Sequence, residues 1–560
     1  MKEVEAAACD ADVIVLGAGL AGSIAALCLV RKGLRVLVVD RSTHPRFALG
    51  ESTTTPASLW LRVMAERFDV PELLNLASAE ALAKNVAPTS GIKSNFGFLY
   101  HEHGAEQPAR AWQAVIPPAY LSDSEHGQQS AQNEMHYFRE DVDAWLWRTA
   151  LAAGAVGREG TEVTAVEFDD EAATVRTANG DTLTARFVID ASGYRSPVAQ
   201  SLGLRDLPPR MRSNTRTMFT HMVGVAPFED TKTVPDSMAP WSHGTLHHFF
   251  DGGWVWVIPF DNHHAASNRR CSVGLNLDNR RFPKQEGVSA EQEWQDLLQK
   301  FPAIEKQFAN AESVQPWVQT DRVQYSSSSC VGDRYWLTAH AAGAVDALFS
   351  MGNINTFQTL ANGLDVVLQM FADGDFRKQR LQPVQELTDA LLKFQDCIVY
   401  GNYVATRGPW LLQTWIALWS LTDTARIRSV LLPLVRYVRT GDAKALDPCF
   451  GDPQGMLTGI GMHTSIKDTN AVLRDLEHWC DIMKELEEGH ATTQATFDRL
   501  GEAVRSKPEY GIDLWGMQAA FAKLPWALGP LAKNGLRAYG QCFLTPDELG
   551  NLGMEEETTD

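Results

Sequence analysis

The sequence predicts an α/β fold: a parallel nucleotide-binding sheet, a β-rich insertion and a mostly helical C-terminal region. Three observations predict it. A glycine-rich turn joins an apolar run to a helical pattern near the start, strand-like runs crowd the middle, and helical periodicity dominates beyond residue 373. The 560 residues allow roughly two to four domains. Hydrophobic residues at 44% and charged residues at 21% are the proportions of an ordinary globular chain.

Asp12-Val13-Ile14-Val15-Leu16 is a short apolar run bounded by glycine, as in a buried parallel strand. Gly17-Ala18-Gly19-Leu20-Ala21-Gly22 follows and opens a helical run through Leu29. Leu34 to Val39 is a second strand ending at Asp40, which completes a βαβ unit. Thr161 to Val166, Ala173 to Arg176 and Thr182 to Ile189 read as strands, as do Thr215 to Val225, Gly244 to Pro259 and Ser272 to Leu277. Such a β-rich middle suits the substrate subdomain, about residues 205–330, of a glutathione-reductase-like core spanning 1–373. Tyr335 to Ala339 returns to the first sheet, and a helix follows from about Asn355 to Phe371. Residues 374–560 read as a helical region covering the substrate cavity. The glutamate-rich tail, 554–560, reads as disordered.

A net charge of -19 repels phosphates and excludes a nucleic-acid surface. The eight cysteines are scattered with no CxxC pair, which predicts free thiols in a reducing cytoplasm. Met1 to Asp12 is acidic and lacks an apolar signal core. No run reaches the ~18 apolar residues of a membrane span. Ala425 to Val438, carrying Arg426, Arg428 and Arg436, reads as a helix over a substrate cavity, with a peripheral membrane helix as the alternative.

GxGxxG is a weak signal alone. Here it follows a strand, precedes a helix and has Asp40 downstream, and that context makes it strong. Gly17 permits the tight turn, Gly19 lets the backbone approach a pyrophosphate at the helix N-terminus, and Gly22 allows close helix–strand packing. Asp40 is placed to accept hydrogen bonds from the adenosine ribose, against the alternative of a solvated loop carboxylate. Far downstream, Gly253-Trp254-Val255-Trp256-Val257-Ile258-Pro259 reads GWxWxIP. On a strand, Trp254 and Trp256 point to one side of the sheet. Spacing alone leaves open an ordinary buried aromatic pair.

The fingerprint together with GWxWxIP resembles the flavin-dependent halogenases of the tryptophan-halogenase-like superfamily. The likeness extends through Ser42-Thr43-His44-Pro45-Arg46-Phe47, Gly50-Glu51-Ser52, residues 91–98, 244–259 and 272–275. It covers roughly residues 12 to 370. It is greatest to the subclass holding the aminopyrrole halogenase of pyrrolnitrin biosynthesis and the chlortetracycline halogenase. The resemblance implies FAD rather than NAD, held by Gly17, Gly19, Gly22, Asp40, Arg46, Glu51, Ser52, Arg139, Val163, Asp190 and Gly193. His340 stands where many relatives carry an aspartate on the ribityl chain. Trp254 and Trp256 would keep substrate off the flavin.

Asp346-Ala347-Leu348-Phe349-Ser350-Met351-Gly352 resembles the family's DPLFSxG segment, which implies halide held by backbone amides around Ser350, Met351 and Gly352. Ala347 replaces the usual proline, and Phe349 stands where tryptophan halogenases carry a catalytic glutamate. Reduced flavin, O2 and chloride or bromide would then give hypohalous acid, which passes to a lysine. Lys93, flanked by Ile92, Phe96 and Phe98, matches that lysine; from spacing alone it reads as a surface strand lysine.

No second nucleotide fingerprint is present, which implies FADH2 from a separate reductase. The implied substrate is a small electron-rich aromatic (phenol, pyrrole or aromatic polyketide), free or carrier-bound, in antibiotic or other secondary metabolism. His247, His248, His263 and His264 do not make a metal site, because adjacent strand residues face opposite ways and no further ligand completes a set. The alternatives are an FAD/NADPH aromatic hydroxylase and a catalytically silent FAD-binding protein of the same fold.

Overall fold

The computed structural model describes residues 9–115, 134–233, 239–450 and 469–507. The acidic tail, Cys542 and the first eight residues lie outside the described residues. Ala11–Leu16 is the central strand of an eight-stranded sheet. It pairs in parallel with Val36–Val39 on one side and Thr182–Asp190 on the other, and Tyr335–Leu337 then adds in parallel to Thr182–Asp190. The chain thus returns to the first sheet late in the sequence, as expected. The strands are buried on both faces, which is why they read as continuous apolar runs.

A second eight-stranded sheet holds Thr215–Val223, Cys271–Asp278, Gly253–Pro259 and Thr245–Phe250 as consecutive antiparallel neighbours. Its next members, Asn95–Tyr100 and Arg110–Val115, come from well before residue 205, and Asn95–Tyr100 pairs in parallel with Thr245–Phe250. The run expected as one strand from Gly244 to Pro259 is a hairpin. It turns at Asp251-Gly252, where Gly252 adopts φ +88°. The Asp-Gly pair is the turn signal that continuous β propensity had masked.

Helices cover the rest. Met351–Asp373 begins four residues before the expected start and packs on the first domain. Gln382–Ala405 follows, and the segment read as Ala425 to Val438 belongs to one longer helix, Pro409–Thr440, with Pro433 inside it. Among the described residues no helix is long and apolar enough to cross a membrane. The seven described cysteines are free thiols.

Candidate active site

The glycine turn is a backbone device. Gly17 has φ +93°, and a Cβ there would stand 2.8 Å from the Ser192 Cα. A Cβ on Gly22 would stand 1.9 Å from the Gly17 carbonyl oxygen. Neither position accepts a side chain. Gly19 is different, since its Cβ would meet nothing nearer than Arg46 Nη2 at 3.4 Å. The helix Leu20–Arg31 starts at Gly19 with no side-chain cap, leaving first-turn amides for an anion. A pyrophosphate therefore fits this turn sterically and electrostatically.

A cavity of about 450 Å³ is lined by Gly19, Arg46, Glu51, Ser52, Arg139 and Gly193 from the nucleotide side, and by Trp254, Trp256, His340, Ser350 and Gly352 from elsewhere. Asp40 does not line it but pairs with Arg46, which does. Its carboxylate accepts from the Ala18 and Ser42 amides at 2.7 and 2.8 Å and pairs with Arg46 at 3.1 Å. Arg139 grips Asp143 through two parallel bonds of 2.7 and 2.9 Å and donates to the Leu49 carbonyl, tying the Gly50-Glu51-Ser52 segment to its helix. Glu51 meets His221 at 2.6 Å, and Ser52 Oγ meets Thr245 Oγ1 at 2.8 Å.

Trp254 and Trp256 share one face of Gly253–Pro259, with ring centroids 5.8 Å apart. Each indole N–H is anchored, Trp254 on the Tyr403 hydroxyl at 2.9 Å and Trp256 on Ser272 Oγ at 3.1 Å. Trp256 lies flat over Gly274, where a Cβ would intrude to 2.1 Å.

Ser350 and Gly352 lie at the start of Met351–Asp373, a helix whose N-terminus also lacks a side-chain cap. Phe349 and Ser350 hold φ of +64° and +54°, a left-handed turn built without glycine. Phe349, expected in the place of a glutamate, stacks on Trp419 at 4.3 Å and is spent on aromatic packing. His340 Nε2 would stand 3.2 Å from a Cβ on Gly352. Its ring is open to the cavity yet enclosed by protein, and that enclosure, with the Arg139 charge, lowers its pKa to about 4.

Gly17, Gly22, Asp40, Met351, Val163, Asp190 and Lys93 do not line the cavity. Val163 starts a strand paired with Ala173–Thr177. Asp190 spends both oxygens on Ser192, Ser196 and the Val198 amide, and so shapes the turn that presents Gly193. Lys93 is fully buried one residue behind the wall: Ser52 lines the cavity, while the Lys93 ammonium donates to the Thr53 carbonyl at 2.6 Å. Its Nζ lies 3.5 Å above the Phe96 ring and 3.3 Å from Glu134.

Glu134, Tyr403 and His221 were not visible as site residues in the sequence. A short ribbon of Gly91–Ile92 on Met135–His136 brings Glu134 to Lys93, and Glu134 accepts from the Thr55 amide and hydroxyl at 2.6 and 2.8 Å. Burial pushes the Glu134 carboxyl up, against the opposing pull of Lys93 and Thr55. His247 faces the cavity side while His248 turns away to His101 and Gln307. Among the described residues no three metal-ligating side chains cluster.

Known proteins are similar to this chain in sequence and fold. The family model described as FAD binding domain matches residues 10–333. Tetracycline 7-halogenase of Kitasatospora aureofaciens is 39% identical over 444 residues, 78% of each chain. Monodechloroaminopyrrolnitrin halogenase of Pseudomonas fluorescens is 40% identical over 411 residues, 73% of this chain and 70% of that one. The structure of halogenase PltM in complex with phloroglucinol and FAD is similar at TM-score 0.79 and 29% identity, over 89% of this chain and 96% of that chain.

Proposed function

The chain belongs to the flavin-dependent halogenases, and from that premise we propose that it installs chloride or bromide on a small electron-rich aromatic ring of secondary metabolism. The reduced FAD would arrive from a separate reductase. The supporting observation is that a glycine turn shaped for a pyrophosphate, an anchored tryptophan pair and an uncapped helix N-terminus all border one cavity. Relatives named for a tetracycline and a pyrrolnitrin precursor, and a related halogenase holding phloroglucinol, support an aromatic substrate.

Each group then has a task. Gly17, Gly19 and Gly22 admit the pyrophosphate, and Arg46, Arg139, Glu51, Ser52, Gly193 and His340 frame the rest of the cofactor. Reduced FAD, when bound, supplies with O2 the oxidising equivalent that turns halide into an electrophile. Amides at Ser350, Met351 and Gly352 hold the halide without a charged side chain. Trp254 and Trp256 form a wall that an aromatic ring does not cross. The Lys93 ammonium, one residue behind Ser52, would hold hypohalous acid by a hydrogen bond and orient it toward the ring. Glu134 at 3.3 Å offsets the cost of burying that ammonium.

The test is incubation with FAD, a flavin reductase, NADH and bromide against phenols, pyrroles and indoles, read by isotope pattern in mass spectrometry. A brominated product formed only with the reductase or with chemically reduced FAD is expected. Halide-independent oxygenation driven by NADPH and the purified protein alone overturns the reading in favour of a hydroxylase.

A further inference from the structure

The tryptophan wall, the segment after Asp346 and the C-terminal helical region meet at one buried hydroxyl. Tyr403, on Gln382–Ala405, receives the Trp254 indole N–H at 2.9 Å and lies 3.2 Å from Asp346 Oδ2. In this hydrogen-bond chain the indole N–H can only donate, so the Tyr403 hydroxyl accepts from it and keeps its own proton for Asp346 Oδ2. A second chain converges on the same oxygen, where Gln324 donates to Thr215 Oγ1 at 2.7 Å and Thr215 Oγ1 donates to Asp346 Oδ2 at 2.7 Å. Asp346 Oδ1 accepts from the Leu348 amide at 3.0 Å, and Gln395, from the Tyr403 helix, donates to the Asp346 carbonyl at 3.0 Å.

The segment so gripped needs holding. Its Phe349 and Ser350 sit in the left-handed region, which non-glycine residues keep only when their surroundings impose it. Ala347 gives it none of proline's rigidity. The residues that impose its shape therefore come largely from side chains outside it, and Tyr403 is the one that also touches the tryptophan wall.

We infer that Tyr403 is a positioning residue, which locks the Trp254 indole and the 346–352 segment into one arrangement and so keeps halide oxidation coupled to ring halogenation. The inference rests on the roles proposed above for Trp254 and for Ser350, Met351 and Gly352. Without the hydroxyl, a buried indole N–H and a buried carboxylate each lose a partner, and both elements are free to shift independently.

The experiment compares Tyr403→Phe with Tyr400→Phe in the full chain. Tyr400 lies on the same helix and its hydroxyl donates to Glu487 at 2.8 Å, so its replacement removes a similar bond without touching Trp254 or Asp346. Tyr403→Phe is expected to keep FAD affinity and the rate of reduced-flavin consumption. Its KM for bromide should rise roughly 5-fold, and the fraction of O2 ending in halogenated product should fall roughly 5-fold, with hydrogen peroxide making up the difference. Tyr400→Phe should change neither. Wild-type coupling and bromide KM in Tyr403→Phe, or equal losses in both variants, overturn the inference. Bromide titration of the FAD-loaded protein, read by quenching of flavin fluorescence, gives a result without turnover. If the wild type halogenates no ring, the functional reading fails, yet weaker bromide binding confined to Tyr403→Phe still supports the lock. Unchanged bromide binding there overturns it.

Discussion

Two sides of one cavity are built in opposite ways. The nucleotide side is mostly backbone: Gly17 and Gly22 are defined by what a Cβ would hit, and Gly19 by the open space in front of it. The tryptophan side is a mesh of buried side chains, each indole anchored on a hydroxyl and Lys93 buried against Glu134. A backbone site tolerates change around it but not at it. A side-chain mesh spreads the same dependence over residues that no local motif contains.

The largest expected effect belongs to the backbone side. Gly19→Asp puts a carboxylate where the pyrophosphate would approach, so FAD binding should be abolished while the fold survives, because a Cβ there meets no backbone. Flavin absorbance carried through gel filtration is the measurement. Retained flavin would mean that this turn is not the cofactor's anchor, and the contrast between the two sides would collapse.

Next comes the lysine. Lys93→Ala should still bind FAD and consume reduced flavin, yet lose halogenated product by ~10³ or more, about 4 kcal/mol of transition-state stabilisation. The fully buried pair with Glu134 complicates the reading, since removing one partner costs about 3–5 kcal/mol of stability. Lys93→Met/Glu134→Gln separates the effects. It should recover much of the melting temperature and none of the halogenation. Recovery of activity along with stability would make Lys93 a structural lysine.

The same contrast governs what was legible in the sequence. The glycine turn, Asp40 and the strands beside them lie within one short stretch, where period and turn chemistry are local. The pairing of Trp254 and Trp256 on one face was equally local, following from strand alternation. Tyr403 meets Trp254 across 149 residues and His221 meets Glu51 across 170, and no spacing rule reaches that far. Glu134 came to Lys93 through a two-residue ribbon too short to carry a periodic signal. Asp190 shows the reverse error of scale. Its motif was visible, but four donors already use its carboxylate, so its side chain shapes the loop while Ala191, Ser192 and Gly193 face the cavity.

A third effect is smaller because it spreads over two rings. Trp254→Ala/Trp256→Ala opens the wall and should lower halogenation by about 10²-fold, the scale on which displaced groups lose rate, and admit direct oxygenation of the ring. FAD binding should hold, since neither indole touches the glycine turn. The ratio of oxygenated to halogenated product, measured by mass spectrometry, decides it. An unchanged ratio in a folded variant reduces the pair to core packing.

The smallest effect is also the most local, and it tests whether Lys93 is charged in the resting protein. His136 and His247 are buried beside it, and burial first, then the Lys93 charge, pushes both pKa values down from 6.5 to about 3. His248 is lowered to about 4 by burial without any such contribution from Lys93. All three rings are therefore neutral at pH 5, and their ring signals should not titrate between pH 8 and 5 by NMR. In that window the unfolded chain binds protons that the folded rings refuse. Each ring thus contributes stability that is complete above pH 6.5 and is lost as the pH falls through its folded pKa. Lys93→Met removes the positive charge beside His136 and His247 and leaves Glu134 in place. Their titrations should move upward while that of His248 stays in place. A uniform movement of all three would point to a general loosening of the sheet, and no movement at all would mean that Lys93 carries no charge where those imidazoles feel it.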